Sequence, residues 1–167
     1  GGSLSPGPGI ATLSVNGDLT FGAGSTYQVD IQADGRSDSV NATGAVAIQG
    51  GRLDIRAAGG NYATTSSYTI LTAGSVTGAF DTISSDFAFL SPTLTYDVTG
   101  IDMTLDRNNV RFADVADTAN GRATATAVEA SGSGNAVYDA VLSLDDITAK
   151  SAFSQLSGEV HASLKSA

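Results

Sequence analysis

The sequence predicts a mainly β region over residues 1–106, followed by short α-helices over residues 107–167. Three observations lead to this prediction. Apolar and polar residues alternate along the first region, turns rich in Gly and Asp interrupt the alternation at short intervals, and Lys and Glu occur only after residue 106. Alternation with period two is typical of strands, whereas Lys, Glu and Ala favour helices.

The alternation is clear in five segments of the first region. In each of them apolar side chains take every second position, and polar side chains fill most of the positions between them. The apolar positions are, in chain order, Leu13, Val15, Leu19 and Phe21; Tyr27, Val29 and Ile31; Leu53 and Ile55; Leu94, Tyr96 and Val98; and Ile101, Met103 and Leu105. Turn signals such as NGD, ADG and QGG separate the segments, and about nine strands fit at that spacing.

Two architectures accommodate such strands. One is an antiparallel sandwich or barrel, and the other is a parallel β-helix of stacked coils. The separators vary in length, and the small residues Ala42, Ala45 and Ala47 suit a narrow coil interior. The alternation itself fits both architectures, so both stay open at this point.

Helix signals follow one another in the second region. The expected N-caps are Asp117 or Thr118, Asn135 and Asp145. The expected apolar positions are Val137, Val141 and Leu144 in one helix and Ile147, Phe153 and Leu156 in the next. Gly158 is expected to end that helix, and EVHASLKSA to begin another, with Val160 and Leu164 four residues apart.

Composition excludes several classes of function. The net charge of −9 argues against nucleic-acid binding, which depends on Lys and Arg. The absence of Cys excludes thiol catalysis, disulfides and Cys-based zinc sites, and it suits export through an oxidising compartment. No apolar run has the length of a membrane helix. The chain opens with GGSLSPGPG, which contains neither Met nor a signal sequence, so we expect it to be a piece of a longer protein.

The ordered set of motifs resembles the end of the passenger domain in type V (classical monomeric) autotransporters of Gram-negative bacteria. The motifs include LSVNGDLTF, STYQVDI, GGRLDI and YTILTAGSVTGAF, followed by FAFLSPTLTYD, NNVRFADVADTANGRATATAVEA and YDAVLSLDDITAKSAFSQLSGEVHASLKSA. Together they span essentially the whole chain. The set is more specific than any one motif in it.

This resemblance implies a right-handed, single-stranded parallel β-helix over residues 1–106, whose last coils act as an autochaperone: they fold first and template the rest. It implies that residues 107–167 form a helical linker ahead of an outer-membrane translocator barrel. The implied partners are the protein's own upstream coils and its own downstream barrel. The implied location is the bacterial cell surface or outer membrane, reached through the periplasm, with release from the cell as a further option.

His161, the sole histidine, lies between Glu159 and Ser163 and invites a catalytic interpretation. Residues two apart on a helix point to different faces, so these three side chains do not form a triad by spacing alone. Ser131 and Ser133 lack the G-x-S-x-G spacing of a nucleophile elbow and are expected to be turn residues. We therefore expect no catalytic residue and no enzymatic activity.

Asp30, Asp34 and Asp38 recur at four-residue spacing, which superficially resembles a calcium loop. The EF-hand order and its final Glu are missing, so Asp34-Gly35 is interpreted as a turn and Asp38 as a residue at the start of a strand. Asn108 and Asn109 are also interpreted as a turn. No metal, cofactor or small-molecule substrate is expected.

Five aromatic residues, Tyr62, Tyr68, Phe80, Phe87 and Phe89, form either a sugar-stacking strip or part of the core, and their alternation with small polar residues favours the core. The leading hypothesis is therefore a non-enzymatic segment for folding and secretion. Its critical residues are expected to be the core residues Leu53, Ile55, Tyr68, Ile70, Leu71 and Phe80. The alternatives are an adhesin or glycan-binding β-domain, whose host receptor the sequence does not identify, and a β-helical hydrolase or lyase.

Overall fold

A computed structural model describes residues 1–158 of the chain. Twelve strands and four helices occur in this range, where the sequence had suggested about nine strands. The strands are β1 Ser3–Leu4, β2 Thr12–Val15, β3 Leu19–Phe21, β4 Thr26–Ile31, β5 Ser39–Ala42, β6 Ala45–Ile48, β7 Arg52–Ala57, β8 Thr65–Thr72, β9 Ser75–Gly78, β10 Thr82–Ser85, β11 Leu90–Asp97 and β12 Gly100–Arg107. The helices are α1 Phe112–Val115, α2 Ala119–Ser131, α3 Ala136–Leu142 and α4 Asp146–Leu156.

The strands stack as a parallel β-solenoid of about three turns. Three sheets have the orders β1-β4-β7-β10, β11-β12-β8-β5-β2 and β3-β6-β9, and β1 to β10 pair only in parallel with one another. We call β2–β4 the first coil, β5–β7 the second coil and β8–β10 the third coil. The parallel β-helix is thus confirmed over the sandwich, while its right-handedness stays a prediction.

Alternation places one side chain of every two inside the coils. In β4, for example, Tyr27, Val29 and Ile31 are fully buried, whereas Gln28 and Asp30 between them are half-buried. The six core residues expected from the sequence are all buried: Leu53, Ile55, Tyr68, Ile70, Leu71 and Phe80. The period of two therefore predicted the inner face of the coils correctly.

The last strands turn back on the stack. β12 pairs antiparallel with β8, with Met103 opposite Tyr68, and β11 lies on the far side of β12. The inward residues of β12, Ile101, Met103 and Leu105, are fully buried. An antiparallel hairpin therefore closes the β8 edge of the third coil.

The chain divides into two compact units. The first contains residues 1–59, 65–85 and 92–106, which hold the coils and most of the hairpin. The second contains residues 60–64, 86–91 and 107 onward, which include all four helices. Sequence patterns separated the chain near residue 107 but contained no signal that grouped 60–64 and 86–91 with the helices.

The helix caps agree with the sequence. Thr118, Asn135 and Asp145 precede α2, α3 and α4, and their side chains accept hydrogen bonds from backbone N–H groups of the first turns. The four-residue helix α1 was not predicted. Three apolar assignments were wrong, because Val137, Ile147 and Leu156 are 40%, 81% and 49% exposed. Leu144 lies beyond the end of α3.

Candidate functional site

The inner rows of the stack run from coil to coil in register. Leu13 pairs with Val40, and Val40 pairs with Leu71, on one side of the stack. On another side, Leu19 pairs with Val46 and Val46 with Val76. Each coil thus rests its apolar side chains on those of its neighbour, which is how solenoid repeats bury a core that no single repeat could bury alone.

Burial along these rows is uneven. Val40 and Val46 of the second coil are fully buried, and Ala42 is 3% exposed. Their partners in the first coil, Leu13, Val15 and Leu19, are only half-buried. No further strand of residues 1–158 pairs with the outer edge of β2 or β3. The first coil is therefore an incompletely covered end of the stack.

Glycines are stacked from coil to coil at the turn between the first and second strands of each coil. Gly44 N–H donates to the Gly17 carbonyl at 2.9 Å, and Gly74 N–H donates to the Gly44 carbonyl at 2.9 Å. A Cβ on Gly44 would lie 2.6 Å from the carbonyl carbon of Gly17, and a Cβ on Gly74 would lie 2.9 Å from the Thr43 carbonyl oxygen. Successive coils approach so closely here that a side chain would push them apart.

At the turns between strands, aspartate carboxylates accept backbone hydrogen bonds that link residues one coil apart. Asp18 accepts from Ala45 N–H at 2.7 Å, Asp81 from Gly51 N–H at 2.9 Å, and Asp38 from Ala11 N–H at 2.8 Å. Each bond joins residues 27 to 30 positions apart, which is one coil of the solenoid. The acids of the coil region thus include cross-links between coils, a role that the sequence did not reveal for Asp18 and Asp81.

Asp38 is the fully buried member of this group. Its second carboxylate oxygen accepts from Asp30 N–H at 3.1 Å, and its own N–H donates to the Asp30 carbonyl at 2.8 Å. Burial raises the pKa of Asp38, with the charge of Asp30 adding to the rise and the two backbone N–H donors opposing it. Asp38 lies directly before β5, as expected, and also ties the start of β2 to the end of β4.

The calcium interpretation of Asp30, Asp34 and Asp38 gains no support from this geometry. The Asp34 carboxylate accepts from the backbone N–H and Nε of Arg36, which lowers its pKa, and Gly35 has φ +92° in the expected turn. Among residues 1–158, no group of three or more His, Asp or Glu side chains is arranged to hold a metal ion.

The aromatic residues belong mainly to the core. Phe80 contacts Phe21 and Tyr27 at ring-centroid distances of 5.3 and 6.3 Å, and the Tyr27 hydroxyl donates to the Ile70 carbonyl at 2.6 Å. Of the five aromatics weighed as a sugar strip, Tyr62, Tyr68, Phe80 and Phe89 are buried and Phe87 is half-buried. The preference for a core role is thus confirmed for these four.

The helical unit is organised around Arg107. Its guanidinium lies over the rings of Phe89 and Phe112, at 5.5 and 5.1 Å from their centroids, and pairs with the Glu129 carboxylate at 2.6 Å. Phe112 also contacts Tyr138 and Phe153. These contacts join Arg107, the last residue of β12, to Phe112 of α1 and Glu129 of α2, and they stabilise the fold of this unit.

The remaining candidates do not form a site in the described part of the chain. Glu159, His161 and Ser163 lie outside the described residues. Ser131 ends α2, where its hydroxyl donates to the Val128 carbonyl, so it is a helix residue and not the expected turn residue, while Ser133 lies in the turn. Asn108 donates from its side chain to the Ala88 carbonyl at 3.1 Å.

No helix within residues 1–158 combines the length and the apolar character that crossing a membrane requires.

Comparison with known proteins gives one informative similarity. No family model matches the chain. In an alignment of 138 residues that covers 77% of the chain, the chain is 34% identical to an extracellular serine protease of Serratia marcescens. The aligned part is 13% of that protease, so the chain spans only a small fraction of the relative. This similarity and the parallel β-solenoid both fit the passenger region of an autotransporter, the class that the sequence motifs resemble.

Proposed function

We propose that residues 1–106 are the C-terminal coils of an autotransporter passenger and that they nucleate the folding of the coils before them during export across the outer membrane. Residues 107–167 then serve as the helical linker towards the protein's own translocator barrel. The protein acts at the bacterial cell surface, and this segment of it works by folding rather than by catalysis.

One observation supports this proposal above the others: the two ends of the stack differ. At the third coil, the antiparallel hairpin β11–β12 covers the edge of β8, and a parallel coil cannot continue there. At the first coil, parallel strands β2 and β3 have half-buried inward residues on their outer side. Among the described residues, β9 and β10 are also the last strands of their sheets, so the hairpin closes the C-terminal end at the β8 edge alone, whereas β2 and β3 are both uncovered at the N-terminal end. This difference supports the addition of upstream coils at the first coil.

The similarity to the extracellular protease agrees with a segment that folds and assists export while catalysis takes place elsewhere in the protein. A segment matching 13% of a much longer protein can belong to its non-catalytic part. The sole histidine of the chain is His161, so a Ser-His-Asp triad drawn from this chain alone would have to use it. We propose that any proteolytic activity of the whole protein resides outside residues 1–167.

The test is surface display of the full-length protein carrying a polar residue in the core. Ile70→Asn places an amide in the fully buried interior of the third coil, and Ser67→Asn makes the same residue on the exposed side of the same strand. We expect Ile70→Asn to abolish most protease-resistant passenger at the cell surface and Ser67→Asn to leave it unchanged. Equal display of the two variants would refute the proposal.

A further inference from the structure

A cavity of about 280 Å³ lies at the open end of the stack, between β1 and the first coil. Its wall is mostly apolar, and the side chains that matter here are Leu4 of β1 and Leu19 and Phe21 of β3. Leu4 and Leu19 are half-buried, whereas Phe21 is 3% exposed. Leu4 and Leu19 are therefore apolar side chains that the described part of the chain covers only in part.

The register of β1 shows which segment belongs there. Leu4 pairs with Tyr27, and Tyr27 pairs with Leu53, so β1 occupies the place of β4 and β7 in a coil that precedes the first. In the coils that follow, the strand before this place is β3 or β6. The cavity therefore lies where the second strand of that preceding coil would lie.

The opposite side of β3 indicates the chemistry of the missing strand. There β6 runs parallel to β3, with Val46 beside Leu19 and Ile48 beside Phe21. Val46 and Ile48 are separated by one outward residue and are 0% and 5% exposed. Both precede Leu53, the counterpart of Leu4, by five to seven residues. The same two-residue spacing of aliphatic side chains would fill the cavity from the other side.

We propose that this cavity is a socket for a parallel strand of the preceding coil, which inserts two aliphatic side chains spaced two residues apart over Leu19 and Phe21. The partner is an upstream segment of the same polypeptide, recognised by the spacing of its apolar residues rather than by its particular sequence. This inference rests on the proposed templating function and names the chemistry that the first templated strand must have.

The experiment supplies the missing strands from the chain itself. A copy of residues 39–51 replaces Gly1 and Gly2, so that Ser3 follows the copy as Arg52 follows Gly51 in the second coil. The copy contains the equivalents of β5 and β6. Hydrogen exchange of β2 and β3 is then compared with that of the unextended protein, and exchange of β7 in the same samples reports whether the stack is intact.

We expect the extension to slow exchange in β2 and β3 by about tenfold, because an added coil must be opened before these strands exchange. The matched control has the same extension with Val46→Ser and Ile48→Ser in the copy alone, and it should give no protection. Leu19→Ser, which removes one wall of the socket, should cancel the protection while exchange of β7 stays slow.

Three outcomes would overturn the inference: no protection by the apolar copy, equal protection by the Ser-containing copy, or protection that light scattering finds only in a dimer. The last would identify the partner as a second copy of the chain. Failure here with display still dependent on Ile70 would remove the socket and leave the proposed function standing. Protection of β2 and β3 by the extension, together with normal display of Ile70→Asn, would remove the proposed function and leave the socket standing.

Discussion

The first and second coils have the same pattern of residues but different burial. Leu13, Val15 and Leu19 of the first coil are half-buried, although their paired residues in the second coil are at most 3% exposed. Both coils point these side chains inward. Burial in a solenoid therefore depends on having a neighbour on each side, and alternation by itself determines only the direction of a side chain.

The two ends of the stack also differ in the hydrogen bonding of their edge strands. At the hairpin, Val76 N–H donates to the Val98 carbonyl at 2.7 Å and Ala73 N–H to the Thr99 carbonyl at 2.9 Å. The β11–β12 turn thus occupies backbone donors of the third coil that a further coil would otherwise use. Unpaired edges promote association with other chains. The comparison predicts that substitutions between the coils are severe and that those at the open end are mild until a further coil is present.

The largest effect is expected at Gly78, where the third coil approaches the second. Gly78 has φ +82°, and a Cβ there would overlap the carbonyl oxygen of Ile48. Gly78→Ala should lower the free energy of unfolding by at least about 3 kcal/mol, because strain and overlap add. Gly35→Ala is the matched control, since Gly35 has φ +92° with open space around it and should lose about 1 kcal/mol. If urea unfolding showed equal losses of unfolding free energy for Gly78→Ala and Gly35→Ala, the contact between Gly78 and Ile48 would not be as close as the structure shows.

The next effect separates the coils directly. Leu53 is fully buried between the rows of its neighbours, and Leu19 is half-buried at the open end. Leu53→Ala should cost about 3 kcal/mol and Leu19→Ala about 1 kcal/mol of unfolding free energy, measured by urea titration. In a chain that carries further coils upstream, the cost at Leu19 should rise towards that at Leu53. If Leu19→Ala lowered the unfolding free energy by the same amount with and without those coils, the first coil would not be an incompletely covered end of the stack.

Sequence alone predicted which side chains face inward in the coils and in β12, because that follows from local alternation. The prediction was wrong for Tyr96 and Val98, which are 36% and 78% exposed. It did not decide between a sandwich and a β-helix, since Val29 and Ile31 would alternate in the same way in either. The decision came from the resemblance of the ordered motifs. Helix caps were equally local, and all three were correct. Ile147 was misjudged because it lies six residues from the buried Phe153, which is about 240° around the helix.

The corner contacts could not be predicted in the same way. Asp18 and Asp81 bond to backbone groups 27 and 30 residues away, so their partners depend on the length of each coil. Their neighbours in the sequence, as in NGD, indicate a turn and nothing about the next coil. The variable coil length, which is 27 residues from Leu13 to Val40 and 31 from Val40 to Leu71, hides the repeat. A regular repeat would have aligned Gly17, Gly44 and Gly74 on inspection.

A smaller effect is expected at the corner aspartates. Asp81→Ala removes the acceptor of the Gly51 N–H at the contact between the second and third coils. The loss should be about 1 kcal/mol, the usual net contribution of one hydrogen bond. Asp97→Ala, on the exposed end of β11, should change the unfolding free energy by no more than a few tenths of a kcal/mol. Indistinguishable urea midpoints for the two variants would show that the corner bond contributes nothing measurable.

The smallest effect is a change of slope with pH at Asp38, which joins the first coil to the start of the second. Because burial raises its pKa in the folded protein, the folded state holds this proton more tightly than the unfolded state does. Its contribution to stability is therefore fully present below the usual Asp pKa, near 4, and is lost as pH rises through the raised value. Asp38→Asn removes the titration, so the difference in unfolding free energy, native minus variant, should fall as the pH rises above about 4. If that difference instead rises with pH, the two backbone donors from Ala11 and Asp30 outweigh burial, and the corner of the first coil stabilises a charge rather than tolerating one.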